Sequence, residues 1–216
     1  MGSIDDLPHR IRDADGEPQG ALVLLHGRGT SENDLFPLLD ELDPDRRLVG
    51  VTPRGPLRLP PGGAHWYIVR RVGFPDPATF EPTMETLTGW FDALPDALGV
   101  PLDRTVLGGF SQGAVMSYAL GLGKDRPHPA AVVALSGFMP VVEGWTLDED
   151  LNGYPVAAGH GTFDPIIEVG FGREAKERLE KAGADVTWRE SPMEHTIDPG
   201  YIPELREFVA RATSGG

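Results

Sequence analysis

The chain has 216 residues, 40% of them hydrophobic, enough for one well-cored domain spanning residues 1–216. Its 33 acids against 19 lysines and arginines give a net charge of −14, which disfavours nucleic acid and membrane surfaces as partners, since binding phosphates needs clustered cations. The absence of cysteine excludes disulfides, thiolate metal sites and a cysteine nucleophile, so covalent chemistry falls to serine or threonine.

The N-terminal segment MGSIDDLPHRIRD carries acids where a signal peptide would have a basic start and an apolar stretch. No apolar run approaches the roughly 18 residues needed to cross a bilayer, and a cytoplasmic location is expected. Residues 21–26, ALVLLH, form a short, continuously apolar run ending in glycine, the pattern of a strand buried on both faces. Similar runs follow at 48–52, 105–110, 130–135, 155–158 and 186–190. Between them lie helical patterns at 33–42, 83–98, 112–122, 168–182 and 202–212. The alternation predicts an α/β fold with a mostly parallel, doubly wound sheet. One stretch breaks it. Residues 53–82 hold 7 prolines and 4 glycines around the pair Trp66-Tyr67, and a loop this long in a compact domain is usually functional or mobile. It is expected beside the active site.

Gly109-Phe110-Ser111-Gln112-Gly113 matches G-x-S-x-G, and its setting, after one apolar strand and before a helix, is that of a nucleophile elbow. The tight turn forces the serine into an unfavourable backbone conformation and projects its hydroxyl outward. Serine needs a base, and histidine titrates in the right range. In this architecture the acid and then the histidine follow the serine in the chain. His128 has no strand-end acid before it, and His160 precedes the best acid, which leaves His195, in the loop before the final helix. Asp164, just after the run at 155–158, is the acid; Glu194 is adjacent to His195 and reaches around its ring poorly. His26-Gly27-Arg28-Gly29 follows the first strong strand, where this architecture places half of an oxyanion hole, so the backbone N–H groups of Arg28 and Gln112 are the expected donors. Trp66, Tyr67, Phe138, Met139 and Phe163 are candidate walls of an acyl pocket; as apolar residues, each is equally a candidate for ordinary core.

Taken together, Leu24 through Gly29, Gly109 through Gly113, Leu135-Ser136-Gly137, His160 through Pro165 and Glu194-His195 resemble the bacterial carboxylesterase/phospholipase family, which includes the acyl-protein thioesterases. The resemblance runs from about residue 20 to the end. It implies an α/β-hydrolase fold without a large cap domain, activity on short and medium acyl esters, no cofactor or metal, and the roles just given for Ser111, Asp164 and His195. The expected partner is a small-molecule ester, with assembly as a homodimer left open. Alternative readings are an acyl-protein thioesterase, a lysophospholipase, or a non-catalytic sensor of a small ligand on the same fold.

Overall fold

The computed structural model describes residues 2–214. Its strands are β1 (His9–Arg12), β2 (Gly20–Leu25), β3 (Leu48–Pro53), four short ones, β4 (Leu57–Leu59), β5 (Gly63–His65), β6 (Val69–Arg71) and β7 (Phe74–Pro75), then β8 (Thr105–Phe110), β9 (Ala131–Leu135), β10 (Pro155–Gly161) and β11 (Asp185–Ser191). The helices are α1 (Phe36–Leu42), α2 (Pro77–Asp92), α3 (Leu94–Leu98), α4 (Gln112–Gly121), α5 (Val169–Lys181) and α6 (Ile202–Thr213).

Seven strands make one sheet in the order β1-β3-β2-β8-β9-β10-β11. Every pairing is parallel except that of β1 with β3. Strands β2, β3 and β9 are buried at every residue, because helices cover both faces, and this is why they read as unbroken apolar runs. On one face α1 and α6 close over Leu22, Leu24, Val106 and Val133. On the other, α2 and α4 close over Val23, Leu25, Val51 and Leu107. The mostly parallel α/β-hydrolase fold is therefore present, and no large cap lies among the described residues. The carboxyl ends of the central strands point the same way, so the loops after β2, β8, β10 and β11 meet on one rim.

Three departures from the sequence reading have physical causes. Strand β1, His-Arg-Ile-Arg, has no apolar run to announce it, because it is an edge strand held by charge: Arg12 is buried and its Nη2 lies 2.6 Å from Asp43 Oδ2. The helix expected at 83–98 starts at Pro77 and is divided near Ala93, since proline is well placed in a first helical turn. The 53–82 segment is not irregular throughout: it contains the antiparallel pairs β4–β5 and β6–β7 and the first turns of α2.

Candidate active site

Ser111 sits between β8 and α4 with φ 55° and ψ −118°, a strained conformation for a residue with a side chain. Its N–H donates to the Leu135 carbonyl at 2.8 Å, which ties the turn to β9. The flanking glycines are dictated by space. A Cβ on Gly113 would run into the carbonyls of Leu25 and His26, and one on Gly109 would collide with the backbone of Gly113. The strand-turn-helix packing thus accepts only glycine at both positions, and it aims the hydroxyl at the rim.

His195, in the loop between β11 and α6, places Nε2 2.8 Å from Ser111 Oγ and Nδ1 2.6 Å from Asp164 Oδ2. A carboxylate only accepts, so Nδ1–H donates to Asp164 and Nε2 is left to accept from the serine. Asp164 follows β10 and its side chain is fully buried. Its other oxygen, Oδ1, accepts from the backbone N–H groups of Ile166 and Ile167 at 2.8 and 2.9 Å, so both oxygens have fixed partners. The structure brings these three residues together from three separate loops, and Glu194 is not the partner of the imidazole.

A second histidine, which sequence reasoning set aside, supports this loop. The buried His160 lies 3.5 Å from Asp164 Oδ2 and donates from Nε2 to the Ile167 carbonyl at 2.7 Å. Burial pushes its imidazole below the usual histidine range, so it is neutral near pH 7.

Gly27 lies against the nucleophile: a Cβ there would come within 3.6 Å of Ser111 Cβ, so the loop carrying Arg28 runs directly beside the serine. Neither the Arg28 N–H nor the Gln112 N–H, the latter at the start of α4, donates to a protein acceptor among the described residues. The Arg28 loop is held by the 53–82 segment through paired backbone bonds, Gly29 N–H to Ala64 O at 2.8 Å and Ala64 N–H to Thr30 O at 2.7 Å. His26 reinforces it. Its Nε2 accepts from Gly55 N–H at 2.9 Å while Nδ1 donates to Gly27 O at 2.7 Å, a neutral tautomer favoured by the burial that lowers its pKa.

The proposed pocket residues do not share one environment. Trp66 and Tyr67 are 0% and 2% exposed and belong to the core beneath the site, so neither is a wall of an open pocket. Trp66 Nε1 donates to the His26 carbonyl at 2.9 Å, and the Gln112 side chain accepts from Trp66 N–H and donates to Tyr67 O, both at 2.7 Å. Phe138 and Met139 are likewise buried, Phe138 against the half-buried Phe171. Only Phe163, 68% exposed beside Asp164, faces solvent, and Ile166, 60% exposed, joins it there. The sequence reading assigned Gln112 a backbone role alone; the signal it missed is that a buried amide side chain must find partners. Changing Gln112 to leucine is expected to orphan two buried backbone groups at about 1–3 kcal/mol each, read as a lower urea midpoint with an unchanged slope. An unchanged midpoint would show that the clamp carries no stability.

A serine on a strand-to-helix turn, bonded through histidine to a buried aspartate on this sheet, defines a serine hydrolase of the α/β-hydrolase class. The chain belongs to the phospholipase/carboxylesterase family, whose model matches residues 8–213. It is similar to acyl-protein thioesterase 1 of Debaryomyces hansenii, 31% identical over 216 residues that cover 88% of this chain and 90% of that one. Among solved structures, the Bacillus cereus carboxylesterase superposes with a TM-score of 0.83 at 25% identity, covering 95% of this chain and 94% of that one. The Mesorhizobium loti carboxylesterase gives a TM-score of 0.83 at 23% identity, with 95% of each covered, and speaks for the fold alone.

Proposed function

We propose that the protein is a serine carboxylesterase that hydrolyses short- to medium-chain carboxylic esters through an acyl-enzyme, acting in the cytoplasm. The unbroken chain Ser111 Oγ, His195 Nε2, His195 Nδ1, Asp164 Oδ2, at 2.8 and 2.6 Å, is the observation that carries this reading. Ser111 Oγ adds to the ester carbonyl carbon as His195 Nε2 takes its proton. The oxyanion is held by the N–H groups of Arg28 and Gln112, reinforced by the positive end of α4. Collapse breaks the bond to the alcohol oxygen, which takes the proton back from His195. Water then gives a proton to His195 as it attacks the acyl-serine, and collapse breaks the bond from the acyl carbon to Ser111 Oγ, which takes the proton back from His195 as the acid product departs. Asp164 stabilises the imidazolium in both halves.

Thioester hydrolysis by the same groups is the second reading, favoured by the 31% identity to an acyl-protein thioesterase. The choice between them is one of substrate. The exposed side chains of Phe163 and Ile166 beside Asp164 support a shallow acyl site. Each buried methylene is worth about 0.8 kcal/mol only while apolar wall remains. Across p-nitrophenyl esters of increasing acyl length, with a matched thioester alongside, kcat/KM is expected to be highest at roughly C2 to C8. No jump is expected as substrate passes its solubility limit, because no large cap lies among the described residues. Steep activation at an emulsion surface, or preference for long-chain triglycerides, would overturn the esterase reading; a thioester preferred at equal acyl length would establish the second.

A further inference from the structure

Next to His195, on the side of the sheet covered by α1 and α6, lies an open groove of about 380 Å³. Its floor is Phe110, whose ring centroid is 4.9 Å from that of His195. One wall is Leu35 and Leu38, at the start of α1; the other is Ile197 and Ile202, from the turn that carries His195 into α6. Two carboxylates, Asp34 and Glu41, stand in its lining, and neither forms an ion pair among the described residues. Apart from His195, no residue lining this groove has a part in the reaction described above.

Proton delivery says what it holds. When the tetrahedral intermediate collapses, the departing oxygen must lie within hydrogen-bond reach of His195 Nε2, because that nitrogen carries the proton it receives. The substituent on that oxygen therefore projects past His195, whereas the acyl chain starts from the carbon bonded to Ser111. The groove is lined by His195 and by α1, and neither Asp164 nor the exposed Phe163 and Ile166 beside it is among its lining residues. We infer that the groove between α1 and the His195 turn is the alcohol subsite, and that it selects apolar, uncharged leaving groups of aryl size over anionic ones. Apolar walls reward ring burial, and two unpaired carboxylates in a chain of net charge −14 repel a negative substituent. This inference rests on the esterase reading and specifies its substrate.

The test holds the acyl group at acetate and varies the alcohol. With wild-type protein, kcat/KM should fall about tenfold or more from phenyl acetate to 4-acetoxybenzoate, although the carboxylate leaves the phenoxide no worse a leaving group. Ile197→Trp, at a half-buried position, should fill the groove and cut phenyl acetate turnover about tenfold more than methyl acetate turnover. Retained methyl acetate turnover shows that the variant folds. Glu41→Arg, at an exposed position outside the catalytic groups, should narrow the gap between phenyl acetate and 4-acetoxybenzoate. Equal loss on phenyl and methyl acetate in Ile197→Trp would overturn the subsite. So would an effect that follows acyl length, tested with phenyl hexanoate, because the groove would then hold the acyl chain. Absence of turnover by the wild type on every ester is a different result and would remove the esterase reading itself.

Discussion

Ser111→Ala is expected to lower kcat for ester hydrolysis by on the order of 10⁶-fold without unfolding the protein. The hydroxyl is the proposed nucleophile, and its side-chain hydrogen bond among the described residues is with His195 Nε2. Removing it opens no apolar cavity, and alanine meets the same backbone strain at φ 55° that serine already bears. The elbow is held by other bonds, chiefly Ser111 N–H to the Leu135 carbonyl, which the substitution leaves in place. Turnover of an aryl acetate, thermal unfolding and labelling by a fluorophosphonate read the three consequences separately: lost activity, a nearly unchanged melting temperature and lost labelling. Residual activity above about a thousandth of wild type would assign the nucleophile elsewhere.

Asp164→Asn is expected to depress kcat by roughly 10⁴-fold through a change of tautomer rather than of shape. Oδ1 accepts from two backbone N–H groups, of Ile166 and Ile167, and an asparagine in this pocket keeps its oxygen on those donors. Its NH₂ then faces His195 Nδ1 and can only donate. The imidazole must accept at Nδ1 and carry its proton on Nε2, where it can no longer take the proton of Ser111. The change is isosteric and keeps both bonds to Oδ1, so the melting temperature should stay close to that of the wild type while activity falls. A variant keeping half the wild-type rate would shift the acid role to another carboxylate, with Glu194 the first to test.

How much of this was legible in the sequence differs from part to part. The parallel strands could be read because burial on both faces leaves an apolar run, as in Ala131–Leu135, and the elbow because steric conflict at Gly109 and Gly113 restricts those positions to glycine. Strand β1 escaped notice because its stabilising group, Arg12 buried against Asp43, lies 31 residues from its partner, and local pattern carries no trace of that pairing. Whether Trp66 and Tyr67 are pocket walls or core stayed open in the sequence for a similar reason. An aromatic pair in a proline-rich loop suits a lid and a core alike, and what decides between them is the side chain of Gln112, 46 residues downstream of Trp66. The groove beside His195 was invisible because it is made by α1 and the α6 turn meeting on one face of the sheet, although each residue in it reads as ordinary helix packing.

The bonds that join Gly29, Thr30 and His26 to the 53–82 segment, and that segment to Gln112, have a consequence for building hybrids with relatives. The segment is not an interchangeable surface ornament, since its backbone completes the scaffold on which the Arg28 amide is hung. A transplant that carries in a foreign 53–82 stretch while keeping the native 26–30 turn would misalign that amide by whatever the new hairpin differs in length, and activity would fall even with all three polar side chains untouched. Residues 26–30, 53–82 and Gln112 behave as one inheritable cassette. Among the described residues, the α1 and α6 side touches this cassette through a single side-chain bond, Thr30 Oγ1 to Asp34 Oδ2 at 3.0 Å.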